Sequence, residues 1–311
     1  MQTQTQQIIT EIQKVIVGKQ AALTKLLIAI LADGHVLLDD VPGVGKTTLA
    51  MATAKVMGLT YRRIQFTPDV LPSDITGFSV YNKDTGKLTY MPGAAYGANI
   101  LLGDEINRTS SKTQSALLEA MEERQVTVDG ETHRLASPFL VIATQNNVGA
   151  AGTQLLPFAQ LDRFLMRLSL GYPDFESQMA IIRDRQRGNP IDSVQAVLSH
   201  KDVVSMQDAV KMVTLKDSVI QYIAHIAEAS RRDARIELGI SPRGALFIAR
   251  AAKARAYVLG RDYAVPQDVR EVLTDVCAHR IILSHQARAA KMTEAAALEG
   301  LLGAVKPPDS V

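Results

Sequence analysis

An α/β fold, a parallel sheet with helices on both faces followed by a small all-helical domain, is what this sequence predicts. Three observations predict it. Short apolar runs alternate with helical patterns through residues 1–178. A glycine-rich loop stands between the first such run and a helix. After Tyr172-Pro173-Asp174 helical periodicity is almost alone. The length agrees, since 311 residues suit about two domains at ~150 residues each. The expected division is 1–178 and 179–311.

Taken in order, Val36-Leu37-Leu38, Arg63-Ile64-Gln65-Phe66, Asn99-Ile100-Leu101-Leu102 and Phe139-Leu140-Val141-Ile142-Ala143 read as buried strands. Leu168-Ser169-Leu170 is a weaker fifth. Helical stretches lie at 10–17, 19–32, 46–57 and 111–123. In the last, Ala116, Leu117, Ala120 and Met121 share one face and Glu119, Glu122 and Glu123 the other. Two inserted hairpins interrupt the alternation. One spans 78–91 around the turn cluster Tyr81 to Lys87. The other spans 124–137, where Asp129-Gly130 sits between alternating segments. The second domain breaks near Gly188-Asn189-Pro190, Gly239 to Pro242 and Gly260 to Asp262, and Pro266 opens a helix.

Composition narrows the function classes. With 47% hydrophobic and 21% charged residues the chain can bury a core without staples, which excludes disorder. The single Cys277 excludes a disulfide framework and fits a reducing cytosol. Net charge is +2, and the halves divided at residue 178 carry −2 and +4, too mild to argue for nucleic acid. Met1 to Thr5 lack the blocks of a signal peptide. The apolar run Leu26–Ala32 is far short of the roughly 18 residues of a membrane span. A cytoplasmic protein is expected.

Chemistry concentrates in Pro42-Gly43-Val44-Gly45-Lys46-Thr47-Thr48, after a strand and opening a helix. Glycines let backbone N–H groups curl around phosphates, Lys46 neutralises charge, and the Thr47 hydroxyl holds Mg²⁺. The helix N-terminus adds partial positive charge. Asp40 stands where such loops begin with glycine, and aspartate enters left-handed backbone more readily than most residues. Farther on, the run Ile100 to Gly103 ends in Asp104-Glu105. The first carboxylate would anchor the metal and the second would orient or deprotonate an attacking water. The run 139–143 ends in Thr144-Gln145-Asn146, and Asn146 could hold that water. Leu161-Asp162-Arg163-Phe164 and Ser241-Pro242-Arg243 each set an arginine beside a break or helix start. The six histidines show no ligand spacing.

These motifs in this order resemble the MoxR family of AAA+ ATPases, over essentially the whole chain. The likeness is carried by His35 to Leu38, Arg63 to Asp69, Leu71 to Gly77, Asp104 to Arg108, Lys112 to Met121, Ala143 to Asn146, Leu161 to Phe164 and Ser241 to Arg243. It implies a P-loop AAA+ fold with two inserted hairpins and a helical lid. It implies that ATP, Mg²⁺ and ADP are the ligands, with Pro42 to Thr48 as the phosphate loop and Thr47 and Asp104 at the metal. Glu105 would activate water and Asn146 would be the sensor. Arg163 matches an arginine finger reaching a neighbouring subunit's nucleotide, Arg243 the second sensor, and Val17-Gly18 the adenine cradle. A homo-oligomeric ring, nominally a hexamer, is implied, acting as a chaperone on a protein client, often one with a von Willebrand factor A domain. Gly103 stands where alanine is more usual, and no acidic residue occupies 147–160 ahead of Arg163. Rival readings are a nucleotide-dependent scaffold with little turnover and a nucleic-acid-linked motor.

Overall fold

The computed structural model describes residues 2–145, 156–186 and 188–308. The chain opens with α1 (Gln2–Gln13) and α2 (Gln20–Leu31), then β1 (Val36–Asp39) and α3 (Lys46–Val56). Next come β2 (Tyr61–Gln65), α4 (Pro72–Thr76), the hairpin β3 (Phe78–Asn82) and β4 (Lys87–Met91), and β5 (Ile100–Asp104). Helix α5 (Ser111–Glu123) leads into a second hairpin, β6 (Gln125–Val128) and β7 (Glu131–Arg134), and then β8 (Leu140–Gln145). Short α6 (Phe158–Leu161), β9 (Met166–Leu168) and α7 (Phe175–Gln186) follow. The remainder is α8 (His200–Met212), α9 (Asp217–Arg232), β10 (Ile236–Leu238), α10 (Pro242–Val258), α11 (Pro266–Cys277), β11 (Ile282–Leu283), α12 (His285–Ala289) and α13 (Glu294–Ala304).

Five strands form one parallel sheet in the order β2-β5-β8-β1-β9. Its two faces are built by alternation. Val36, Leu38, Ile100, Leu102, Leu140, Ile142, Met166 and Leu168 point into the core that holds α1, α2, α3 and the C-terminal helices. Leu37, Ile64, Phe66, Leu101, Val141 and Ala143 point the other way, onto α5 and the second hairpin. Strands covered on both faces need continuous apolar runs, which is why these segments read so plainly.

Each of the five strands runs where the apolar pattern puts it, displaced by up to two residues. The exception in emphasis is the last, which starts at Met166 and ends at Leu168. The first helix begins at Gln2 and stops at Gln13, earlier than the expected 10–17, and Gly18 takes φ of 73° in the turn ahead of α2. Asp129 and Gly130 both take left-handed backbone, the geometry of a tight hairpin turn. Ser110, Ser199 and Ser241 cap α5, α8 and α10 through their hydroxyls. The C-terminal part is helical with one addition, an antiparallel ribbon of β10 with β11. Residue 178 falls inside α7, and the core on that side of the sheet continues into α8–α13.

Gly103 has a packing reason. A Cβ at this position would come 3.0 Å from the ring of Phe66, which is fully buried on the same face. The missing methyl is therefore filled space and not slack in β5.

Candidate nucleotide site

In a parallel sheet, ligands gather at the carboxyl ends of the strands. Here β1 ends in Asp39, β5 in Asp104 and β8 in Gln145, side by side. The loop from Asp40 to Gly45 leaves β1 and opens α3, with Gly43 and Gly45 at φ of 84° and 95°. Those two positions are where glycine is required. Asp40 does not take the left-handed backbone expected of it, since it is absent from the described residues with positive φ. Its carboxylate instead accepts hydrogen bonds from the Leu170 and Gly171 N–H groups and the Ser169 hydroxyl. The loop is thus anchored to the chain leaving β9.

Lys46 is buried, and its ammonium donates to the carbonyls of Asp40 at 2.8 Å and Gln145 at 3.3 Å. Burial pulls its pKa below the ordinary lysine value, while Asp40, Asp104, Asp39 and Glu105 act against that shift. The Thr47 hydroxyl lies 3.5 Å from Asp104 Oδ2. A hydroxyl and a carboxylate facing each other at a helix start form a hard-oxygen donor set, which fits Mg²⁺. Asp104 is held from two further sides. Thr144 donates its hydroxyl to Oδ1 at 2.6 Å, and Arg63 reaches Oδ2 at 2.8 Å.

Glu105 sits beyond the end of β5 with φ of 57°. Its backbone N–H donates 2.9 Å to the Thr144 hydroxyl, and its Oε2 accepts from Arg108 at 2.8 Å and Gln65 at 3.2 Å. One hydroxyl on β8 thus joins both members of the acidic pair. Thr144, Arg63 and Gln65 carried no role in the sequence reading. Their signal is only positional, as residues at or near the ends of strands flanking Asp104. A hollow of about 200 Å³ beside the loop is lined by Val15, Val17, Val44, Thr48, Ile181 and Pro190 among others. Gly18 lies just beyond, where a Cβ would strike the Ser177 hydroxyl at 2.2 Å. Pro42 is exposed at the loop's tip. Asn146 lies outside the described residues, one position past the end of β8.

Arg163 and Arg243 are elsewhere. Met166 pairs with Val36, the first residue of β1, so Arg163 stands at the amino end of the sheet. That is roughly 13 Å of strand away from the phosphate loop. Arg243, near the start of α10, meets the same carboxylate as Arg163, that of Glu122. Neither arginine joins Lys46, Thr47, Asp104 and Glu105 within one chain. Among the described residues no cluster of histidine, cysteine and carboxylates could hold a metal, and His35 and His279 are buried structural groups.

Comparison with known proteins decides the family. Residues 35–166 match the ATPase family associated with various cellular activities (AAA), and residues 228–301 match the AAA lid domain. The chain is 38% identical to Chaperone MoxR1 of Mycobacterium tuberculosis, across 96% of this chain and 81% of that one. This protein belongs to the MoxR family of AAA+ ATPases. It is also similar to the uncharacterized protein YeaC of Bacillus subtilis, at 46% identity over 96% and 93% of the two chains. A crystal structure from Cytophaga hutchinsonii superposes with a TM-score of 0.91 at 39% identity, over 99% of this chain and 96% of that one. The fold is thus the α/β P-loop AAA+ fold with a helical lid. No helix among the described residues of this MoxR-family chain is long and apolar enough to cross a membrane.

Proposed function

We propose that this MoxR-family chain binds ATP with Mg²⁺ and hydrolyses it to ADP and phosphate in a homo-oligomeric ring. The observation that carries the reading is the Thr144 hydroxyl, which ties Asp104 and Glu105 together at the mouth of the phosphate loop. Lys46 and the N-terminal amides of α3 would hold the phosphates. Thr47 and Asp104 would hold the metal, which when bound offsets charge on the β- and γ-phosphates. Val17 lines the hollow that suits the base, and Gly18 lies just beyond it. Glu105 and Asn146 would orient water, and Glu105 would accept its proton as the water oxygen bonds the γ-phosphorus and the γ-phosphorus–oxygen bond to ADP breaks. Both oxygens and the proton are then accounted for, with no redox step.

Arg163 and Arg243 enter this reading from a neighbouring copy. Their place at the far end of the sheet supports that, because a same-chain ligand would have to cross the length of β1. A ring, nominally hexameric, supplies the neighbour. Resemblance to a protein named a chaperone supports work on a protein client. A client with a von Willebrand factor A domain and a cytoplasmic compartment complete the proposal. The test is phosphate release by the purified full chain, with and without Mg²⁺ and client. Turnover that vanishes in Glu105→Gln while ATP still binds supports it. Wild-type turnover no higher than that variant's favours the scaffold reading instead.

A further inference from the structure

Glu122, the penultimate residue of α5, spends both carboxylate oxygens on arginines distant in sequence. Oε2 accepts from Arg163 Nε at 2.9 Å, and Oε1 accepts from a terminal nitrogen of Arg243. Arg163 also donates through Nη1 to the Ala159 carbonyl at 3.1 Å, so two bonds fix the plane of its guanidinium. A guanidinium has five N–H donors, and the remainder stay available for phosphate oxygens. The three side chains are each about one-third exposed, at 36%, 31% and 39% for Glu122, Arg163 and Arg243. They line a hollow of about 650 Å³ at the amino end of the sheet.

Two other cations of that hollow are committed differently. Arg124 pairs with Asp33 at 3.1 Å and bonds the Phe139 carbonyl, and Arg250 bonds the carbonyls of Ala32 and Asp33. Those contacts brace the chain entering β1. Arg163 and Arg243 come together through Glu122, and without an anion between them two guanidiniums would separate. We infer that Glu122 is a positioning residue that sets Arg163 and Arg243 as one paired donor for the phosphates of a nucleotide bound by a second copy of this chain. The inference rests on the proposal that Arg163 acts across a subunit boundary.

The experiment is phosphate release by the full chain, alone and in mixtures, with ATP binding followed by calorimetry. Glu122→Ala is expected to lower kcat roughly tenfold, the scale of a lost charge-assisted contact, with ATP affinity unchanged. Glu122→Gln keeps one acceptor oxygen, so it should recover part of the loss and serves as the folding control. Adding Glu122→Ala to Arg163→Ala should cost less than the two single losses combined, since part of what Glu122 does runs through that arginine. Mixing Glu122→Ala with Glu105→Gln should restore activity, because their defects lie on opposite sides of an interface. Mixing it with Arg163→Ala should restore none. If Arg163→Ala with Glu105→Gln gives no gain, the trans reading fails and takes this proposal with it. If that control gains while Glu122→Ala and Glu122→Gln match or exceed wild type, or their loss adds in full to that of Arg163→Ala, only the role of Glu122 is overturned.

Discussion

The two ends of the central sheet are built by different means. At the carboxyl end, Lys46 and Thr47 come from one loop and helix, and Asp104 and Glu105 from one strand end, all locked by backbone carbonyls and the Thr144 hydroxyl. At the amino end, Arg163 and Arg243 come from separate elements and meet on a single carboxylate, Glu122. In the proposed reading the first end is a nearly complete phosphate site by itself, and the second is a half-site whose complement lies on another copy. On that reading, binding stays within a chain and turnover waits for assembly.

The largest expected effect falls at the carboxyl end. Lys46 is the one cation of the phosphate loop, so Lys46→Ala should lose most ATP affinity, as measured by calorimetry. Undiminished affinity would break the comparison, since binding would then not belong to that end. Arg163→Ala should bind ATP nearly as wild type does but lose about 10³ in hydrolysis rate, because only the transition state needs the added charge. Glu105→Gln should also bind and lose on the order of 10²–10⁴ in rate. A drop in ATP affinity for Arg163→Ala would place that arginine on its own chain's nucleotide.

Acid should separate the ends further. His35 precedes β1 and accepts the Val141 N–H at Nδ1, while His279 faces the Phe164 carbonyl next to Arg163. Burial holds both imidazoles well below their ordinary value of 6.5, so they stay neutral in the folded chain. The unfolded chain protonates them near 6.5, so acid favours unfolding. Stability present above that value is lost as pH falls below it, by about 1.4 kcal/mol per pH unit for each histidine. Thermal melting from pH 7.5 to 5.5 should show a falling midpoint, and His35→Gln should flatten the fall. The smallest effect belongs to the sheet between the ends. Gly103→Ala must shift Phe66, and about 1 kcal/mol of destabilisation is expected, read as a drop in Tm of a few degrees.

Much of the carboxyl end was legible because its chemistry is contiguous. Pro42 to Thr48 and Asp104-Glu105 each form a pattern within a few residues, and the loop's left-handed turns fall at Gly43 and Gly45. Asp40 shows where such local reading stops. Local propensity pointed to left-handed backbone, and its actual work is a contact with Leu170 and Gly171, about 130 residues away. Gly103 likewise stands where alanine is more usual for a reason only the fold shows, the Phe66 ring packed against it.

By itself the sequence determined the strands, the phosphate loop, the acidic pair and the family, since apolar runs and short motifs act through neighbours in the chain. It also marked Arg163 and Arg243 as candidates without showing where they stand. Only the tertiary structure decided that they share Glu122, across 41 and 121 residues of sequence, at the end of the sheet remote from Lys46. It alone decided that Thr144, Arg63 and Gln65 complete the surroundings of Asp104 and Glu105. The physical reason is strand order. A parallel sheet brings β2, β5, β8 and β1 together by hydrogen bonds between segments far apart in the chain, and no local pattern encodes which side chains then meet.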